Sequence, residues 1–368
     1  MLLQIESGDK IFKEKRMVVG FIHHYGLGDN ILSFQAMYEC KRFYNCKLIV
    51  FGNALMQRLL QYCSFVDEVV NIHVLTKESA LRIKEYRCNY ILLTNPKSGY
   101  IRDLAVCDTQ VITGTKFSSL FSRYCKTVPL SLLPTYRRMG GAEKLCSLVR
   151  KINPFVYEFH KQLACMTMQS LLDLCKIQTS LEHKVFITSF LQRAFASKTC
   201  SYLIAVNPFA ITSQHTLPLL AWLKLMYAIS QIASCKVLVI TYPAVHDDFI
   251  KQVQKFGNDL DSELIVFQNT DDVLNLVEIL SRVSLVISPS TGTIHVASNL
   301  GIPTLGLYSQ KDTIKWGTRD KRYVIIDKTK DTLDLQHSDS IIQQVLQNLE
   351  SLLENKAIRT IKQYEIND

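Results

Sequence analysis

The residues with the clearest chemical potential lie at positions 288–299, where the sequence reads Ser-Pro-Ser-Thr-Gly-Thr-Ile-His-Val-Ala-Ser-Asn. Apolar runs flank this segment and are typical of buried strands, so the small polar residues form a turn leading into a short helix. Such a turn directs backbone N–H groups outward at a helix N-terminus, where an anion is held. Ser290, Thr291 and Gly292 are therefore predicted to bind a diphosphate, with His295 in the helix that follows.

A second polar turn, at positions 23–30, follows the first predicted strand. Gly26 and Gly28 begin a dinucleotide-binding fingerprint, but the third glycine is missing, which disfavours a Rossmann oxidoreductase. Asp29 lies where this strand passes into a helix, and two roles fit it. It could be the N-cap of a helix from Asn30, which the local sequence favours, or a carboxylate that faces a cleft and takes a proton from a hydroxyl.

A third polar segment, at positions 207–218, follows a strand in the second half of the chain. Thr212, Ser213 and His215 could donate hydrogen bonds to phosphate oxygens. Thr216 could instead cap a helix that carries Pro218 in its first turn.

Positive charge is concentrated in one part of the chain, which has a formal net charge of +9. Residues 111–157 hold eight basic residues and one acidic residue. This excess predicts an acidic partner, either a phosphorylated saccharide or an anionic lipid surface, although solvated helix faces are the alternative. Nucleic acid is less favoured because no binding motif accompanies the charge. The basic residues include Lys116, Arg123, Arg137 and Arg138.

The composition is that of an ordinary globular protein, with 48% hydrophobic and 20% charged residues. The 11 cysteines include no Cys-x-x-Cys pair, so we expect reduced thiols in a cytosolic protein and no metal site. The sequence predicts neither a secretory signal nor a transmembrane helix.

Strand-like and helix-like segments alternate along the chain in two successive series, which predicts two parallel sheets covered by helices on both faces. The sequence therefore predicts an α/β protein of two Rossmann-like domains, residues 1–180 and 181–337, followed by a C-terminal helix, residues 338–368, that packs across their joint. A cleft between the carboxyl ends of the two sets of strands would hold a small ligand. The predicted strands are 17–23, 47–51, 66–72, 89–94, 109–112, 202–206, 236–241, 264–267, 285–288 and 304–308, and the predicted helices 30–43, 54–63, 78–86, 217–233, 244–256, 271–282 and 293–300.

Taken together, these segments resemble the heptosyltransferase family, glycosyltransferase family 9, in order and spacing from Met17 to Trp316. The family begins with a strand leading to a Gly-Asp pair, here Gly28-Asp29. Its signature Asp-Thr-Gly-x-x-His-x-Ala, followed by a turn, a proline and a strand, is matched by residues 291–297 and 301–303. Residues 207–218 match a further family loop loosely.

The resemblance implies the GT-B architecture and inverting transfer of heptose from ADP-heptose to a lipopolysaccharide core acceptor. It implies that Asp29 is the general base and that the N–H groups of Thr291 and Gly292 hold the diphosphate. It also implies an acceptor site on the N-terminal domain at Gly28, Lys116, Arg123, Arg137 and Arg138. No tightly bound metal or cofactor is expected, and the family's work places the protein in the cytoplasm, peripheral to the inner membrane.

Two departures from the family pattern leave the substrate open. The aspartate before Thr-Gly is Ser290 here, and the lysine of the family loop at positions 207–218 is His215. Another basic residue could compensate, and Lys311 and Lys315 are the candidates. The donor is then ADP-heptose or another nucleotide sugar. Two alternatives stay open at this point: a nucleotide-sugar epimerase or hydrolase on the same fold, and a degenerate, non-catalytic relative.

Overall fold

The computed structural model describes residues 16–165, 171–195, 200–211, 213–257, 259–270 and 272–361. The strands it contains are β1 (Val18–Ile22), β2 (Lys47–Gly52), β3 (Glu68–Asn71), β4 (Tyr90–Leu93), β5 (Gln110–Gly114), β6 (Cys125–Val128), β7 (Tyr202–Val206), β8 (Cys235–Thr241), β9 (Leu264–Gln268), β10 (Leu285–Pro289), β11 (Thr304–Tyr308) and β12 (Tyr323–Ile325).

The helices of the first half and of the linking segment are α1 (Leu27–Leu32), α2 (Phe34–Phe43), α3 (Ala54–Leu60), α4 (Lys77–Glu85), α5 (Ser98–Leu104), α6 (Phe117–Leu120), α7 (Pro134–Arg137), α8 (Gly141–Arg150), α9 (Pro154–Cys165), α10 (Leu171–Leu174) and α11 (Leu181–Ala194). A 3-10 turn, Ala105–Cys107, follows α5. The second half contains α12 (Leu219–Ser230), α13 (Pro243–Phe256), α14 (Leu260–Glu263), α15 (Val273–Leu280), α16 (Gly292–Leu300), α17 (Gln310–Lys315) and α18 (Leu335–Glu354).

The strands form two six-stranded sheets with the same internal order. The first runs β3-β2-β1-β4-β5-β6 and the second β12-β11-β10-β7-β8-β9, and every neighbouring pair is parallel. Read in chain order, each sheet has the Rossmann arrangement, whose strand order reverses between its first and fourth strands. The predicted α/β fold with two Rossmann-like halves is therefore confirmed.

The predicted strands correspond to β1–β5 and β7–β11, whereas β6 and β12 were not predicted. Both are short edge strands: β6 contains the polar residues Lys126 and Thr127, and β12 is only three residues long, too short to be identified from its pattern. The predicted helix from Asn30 is in fact two helices, because α1 begins at Leu27 and is interrupted at Ser33. The Ser33 hydroxyl donates to the Asn30 carbonyl at 2.6 Å and so competes with the regular helical ladder.

The last helix, α18, packs against α12 and β12 of the second half. It was predicted to continue to the C-terminus, but it ends at Glu354 because Lys356 adopts a left-handed φ of 48°, which stops helix propagation. The chain then returns to the start of β7, where the Ile361 N–H donates to the Ser201 carbonyl at 2.9 Å. Residues 362–368 lie outside the described residues, and the domain boundaries stay a prediction.

One cluster of buried apolar side chains runs through both halves. It includes Phe21 and Phe34 in the first half, Val296 in α16, and Ala205 and Leu238 in the second sheet. The two sheets therefore share a continuous core that positions the loops between them. Among the described residues, no helix is both long and apolar enough to cross a lipid bilayer.

Candidate active site

A cavity of about 610 Å³ opens between the two halves at the carboxyl ends of the strands. Its walls include Asp29 after β1, Asn207 after β7, Tyr242 after β8, Asn269 after β9, and residues 290–293 after β10. Because β7 and β10 are neighbours at the point where the order of the second sheet reverses, the cavity lies where open α/β sheets bind ligands. The structure thus brings Asp29 and the predicted diphosphate turn into one cavity.

The turn before α16 is held by Asn207, which is buried. The Asn207 Nδ2 donates to the hydroxyls of Thr291 and Thr293, both at 3.1 Å. Thr291 is the N-cap of α16, and its side chain makes no cap hydrogen bond. The first N–H groups of α16 are therefore left for a ligand in the cavity, which is the geometry that binds phosphate.

Two glycines allow the N-termini of α1 and α16 to cross at the floor of the cavity. A Cβ on Gly292 would lie 2.7 Å from the Cβ of Leu27, and a Cβ on Gly28 would lie 2.8 Å from the Cδ2 of His295. Real Cβ atoms do not approach other atoms this closely, so any larger residue would push the two helices apart. Gly28, predicted in the acceptor site, lines the cavity and also makes this crossing possible.

Asp29 is the third residue of α1, and its carboxylate faces the cavity. The N-cap of α1 is Gly26, so the expectation that Asp29 caps the helix is wrong. Its carboxylate makes no hydrogen bond with the described residues. Burial raises the pKa of Asp29, and the positive charge of Lys315 acts in the opposite direction. A carboxylate without internal partners and with a raised pKa can accept a proton from a bound hydroxyl.

The first turn of α1, which carries Asp29, is held in place by His23. The His23 Nε2 donates to the Asp29 carbonyl at 3.1 Å, and its Nδ1 lies 2.9 Å from the Thr94 hydroxyl. Burial lowers the pKa of His23 to about 3, so the ring is neutral at physiological pH. Because a carbonyl can only accept, the single ring proton is on Nε2.

Asn30, also in α1, braces the loop before this helix, since its side chain both donates to the Tyr25 carbonyl and accepts from the Tyr25 N–H, each at 3.2 Å. Sequence reasoning missed this role, and also that of His23. The feature that marks His23 and Asn30 is that each is a polar residue at a buried position, and burial is known only from the structure.

His295 lies in α16 beneath the cavity floor and is buried. Desolvation lowers its pKa to about 4, so the ring is neutral at pH 7. Its position against Gly28 makes it a packing residue of the helix crossing as well as part of the cavity wall.

Of the predicted phosphate-binding side chains of the loop after β7, Ser213 and His215 do not line the cavity. The Ser213 hydroxyl donates to the His215 carbonyl at 3.5 Å, the buried Nδ1 of His215 has no partner, and Thr212 lies outside the described residues. Thr216 is not a helix cap either. Because α12 begins at Leu219, the Thr216 hydroxyl instead accepts a hydrogen bond from Trp222 Nε1 at 3.1 Å.

Of the two lysines considered for the diphosphate, Lys311 is exposed on α17 and does not line the cavity. Lys315 is the cation that acts on Asp29, and its Nζ lies 4.4 Å from the ring centroid of Trp316, a cavity residue. Of the two lysines, Lys315 is therefore the one near the cavity, and its part in binding the diphosphate stays a prediction.

The predicted acceptor-binding basic residues lie outside this cavity. Arg138 lines a second cavity of about 660 Å³, which also contains Ile31 and Leu32 from the end of α1, and Arg137 donates to the Ser131 carbonyl at 3.0 Å. Arg123 lines a groove between α5 and α6, and Lys116 is the exposed N-cap residue of α6. Their part in acceptor binding stays a prediction.

Asn269 is a cavity residue that the sequence did not indicate. Its Oδ1 is buried and has no hydrogen-bond partner, although a buried amide oxygen normally has one. Because the residue lines the cavity, a ligand bound beside it could supply the missing donor.

No group of three or more His, Cys, Asp or Glu side chains within the described ranges is placed to hold a metal ion. The eleven cysteines are free thiols.

The comparisons with known proteins agree with the family resemblance seen in the sequence. Residues 182–345 match the model of glycosyltransferase family 9 (heptosyltransferase). No curated protein matches the chain significantly.

Solved structures of a glycosyl transferase and of heptosyltransferases share the fold over nearly the whole chain. The glycosyl transferase family 9 protein of Veillonella parvula is 14% identical, with 92% of this chain and 98% of that chain covered and a TM-score of 0.70. The E. coli ADP-heptose lps heptosyltransferase II is 14% identical, with 93% and 99% covered and a TM-score of 0.70. E. coli heptosyltransferase WaaC with ADP is 12% identical, with 90% and 100% covered and a TM-score of 0.62. At these identities the likeness establishes the architecture.

Proposed function

We propose that the chain, whose residues 182–345 match the glycosyltransferase family 9 model, is a glycosyltransferase that transfers a sugar, with inversion, from ADP-heptose to a lipopolysaccharide core acceptor. The observation that carries the proposal is that one cavity contains both a carboxylate with a raised pKa, Asp29, and the open N-terminus of α16. A base and an anion site facing each other are what such a transfer requires. The family name and the ADP bound to WaaC support the choice of donor.

In the proposed reaction an acceptor hydroxyl attacks the anomeric carbon of the donor from the face opposite the diphosphate. The bond between the anomeric carbon and the diphosphate oxygen breaks, and the hydroxyl proton passes to the Asp29 carboxylate. Asp29 acts in its ionised form, and its raised pKa makes it a stronger base than a solvated carboxylate.

The leaving diphosphate would be bound by the first N–H groups of α16, around Gly292 and Thr293. Their dipoles are fixed by the Asn207 hydrogen bonds before the reaction starts, so no reorganisation is needed as charge develops. Lys315 supplies the nearby positive charge.

The acceptor would approach from the first half of the chain, whose excess of basic residues suits a phosphorylated saccharide linked to lipid. The protein would then work in the cytoplasm at the inner face of the membrane.

The test is Asp29→Asn, measured with ADP-heptose and a soluble acceptor saccharide. We expect kcat to fall by roughly 10²- to 10⁴-fold with little change in donor KM, because the amide cannot accept the proton. Asp248→Asn is the matched control, because that carboxylate is on α13 with 85% of its side chain exposed. Wild-type turnover by a folded Asp29→Asn variant would refute the base assignment, and sugar release that needs no acceptor would favour a hydrolase or an epimerase.

A panel of nucleotide sugars measured by thermal shift would test the donor. Since a ligand that binds the folded state raises the apparent melting temperature with its concentration, ADP-heptose should give the largest shift. A larger shift with a sugar on another nucleotide would mean that this nucleotide sugar, and not ADP-heptose, is the donor.

A further inference from the structure

Residues 116–123 around α6 form an exposed apolar and basic surface, here named the α6 patch. Phe117 is 81% exposed and Phe121 76% exposed, and their ring centroids lie 4.8 Å apart. Leu120, between them in sequence, is 55% exposed. A pair of large aromatic rings left in water on a folded domain marks a surface that is covered when the protein works.

Basic side chains surround these rings. Lys116 and Arg123 are both exposed and border the pair in sequence, and Arg123 lies with Phe121 on a groove that also includes Arg102. Residues 97–126 contain five lysines and arginines and two carboxylates, Asp103 and Asp108. The side chain of Asp103 lies 3.6 Å from Arg102, so part of the negative charge is already compensated. The partner of this surface should therefore be anionic as well as apolar.

The α6 patch lies on the same edge of the first sheet as Asp29. It follows β5, which is two strands away from β1 in a parallel sheet, so the ends of β1 and β5 are about 10 Å apart on that edge. A flat surface that contacted the α6 patch would consequently run past the mouth of the candidate active site.

We propose that the α6 patch docks on an anionic lipid bilayer, with Phe117 and Phe121 inserted at the level of the headgroups and Lys116 and Arg123 against lipid phosphates. Aromatic rings beside basic residues are the side chains that peripheral proteins use at such an interface. A phosphorylated saccharide would engage the cations and could stack on a ring, but it would leave the exposed Leu120 in water. The proposal rests on the proposed function, since a lipid-linked acceptor gives the docking its purpose, and it assigns Lys116 and Arg123 to the lipid surface.

The experiment is co-sedimentation of the full chain with vesicles of phosphatidylglycerol and phosphatidylcholine, compared with vesicles of phosphatidylcholine alone. The wild-type protein should bind the anionic vesicles, bind the neutral ones weakly, and lose binding as salt screens the charges. The double variant Phe117→Glu/Phe121→Glu should bind the anionic vesicles at least about tenfold more weakly. Two apolar side chains are replaced by carboxylates, which the negative lipid headgroups repel.

The matched control is Phe155→Glu. Phe155 is 89% exposed on α9, but the neighbouring Arg150 is already paired with Glu158 at 2.6 Å. This variant should bind anionic vesicles as the wild type does. An equal loss in both variants, or wild-type binding by the double variant, would overturn the proposal, as would tighter binding of a single-stranded oligonucleotide than of anionic vesicles.

Two further measurements test the docking proposal if the double variant does not fold, and separate it from the proposed function. If the double variant does not fold, Phe121→Trp serves instead, and its emission should shift to shorter wavelength with anionic vesicles and stay unchanged if the ring never leaves water. Turnover of a soluble, lipid-free acceptor should be the same in the folded double variant and the wild type. Vesicle binding without transferase activity would contradict the proposed function and leave the docking surface standing.

Discussion

Asp29 is under two opposing influences that can be separated by mutation. Burial raises its pKa, and the positive charge of Lys315 counteracts part of that rise. Lys315→Met should therefore raise the pKa of Asp29 further. Since the base works when deprotonated, the acidic limb of the kcat/KM profile should move to higher pH, with activity lost first at low pH.

The measurement is the pH profile of kcat/KM for the wild type, Lys315→Met and Lys315→Arg. The arginine variant keeps the charge and should keep the wild-type limb. If the acidic limb of the profile lies at the same pH in Lys315→Met and the wild type, ionisation of Asp29 does not determine that limb.

Asn269 lies at the opposite end of the cavity from the turn before α16. The strand order β10-β7-β8-β9 separates these ends by three strand spacings, about 14 Å, which suits a nucleotide lying with its diphosphate on α16 and its base near β9. The unpaired Oδ1 would accept an N–H of the base, and adenine offers one on N6.

Asn269→Ala should raise the donor KM about two- to tenfold, the value of one hydrogen bond, and leave kcat at saturating donor unchanged. Gln268→Ala is the control, because Gln268 is the preceding residue and does not line the cavity. An unchanged donor KM in Asn269→Ala would show that the adenine of the donor does not bind at this end of the cavity.

At the scale of the elements, the crossing of α1 and α16 leaves the least room for a larger side chain. Gly292→Ala would place a Cβ within 3 Å of three atoms of Leu27, of which the Cβ is fixed by the α1 backbone. We expect the free energy of unfolding to fall by about 1–3 kcal/mol and the donor site to be disturbed with it.

Gly99→Ala is the matched control, because nothing lies within 4 Å of a Cβ at that position in α5. Urea unfolding of the two variants tests the difference. Equal stability of Gly292→Ala and the wild type would show that the helices separate at no cost.

The sequence predicted the strands that carry long apolar runs and the diphosphate turn, because both are local patterns. It missed the edge strands β6 and β12, which are only four and three residues long, and the break at Ser33, which no local apolar pattern marks. The roles of Asn207 and Asn269 could not be predicted, since they arise from the order of the second sheet, which brings together loops that are distant in sequence. Which of Lys311 and Lys315 lies near the cavity depends on how α17 is oriented, and the sequence does not show this.

At the scale of the whole molecule, two buried histidines make stability depend on pH. Burial lowers the pKa of His295 to about 4 and that of His23 to about 3, while the unfolded chain binds these protons near pH 6.5. Between these values the unfolded state binds more protons, so the stability that the two neutral rings contribute at pH 7 is lost as the pH falls through 6.5 towards 4. Each ring should contribute a loss of about 2 kcal/mol between pH 7 and pH 5.

The measurement is the free energy of urea unfolding at pH 7 and pH 5 for the wild type and His295→Gln. The glutamine does not titrate, so its loss between the two pH values should be smaller by about 2 kcal/mol, whatever its stability at pH 7. The same pH dependence in both proteins would show that His295 is protonated in the folded state.

The crossing of α1 and α16 also determines how the two halves can move. Leu27 and Gly292 are in contact at the cavity floor, so this point acts as a fulcrum when one half rotates against the other. Displacement grows with distance from a fulcrum, so the rims of the cavity, which include Tyr242, move further than its floor. A rotation that opens the rims wide enough to admit a sugar hardly alters the gap between Asp29 and Thr293, so substrates can enter and leave without the reacting groups losing their alignment.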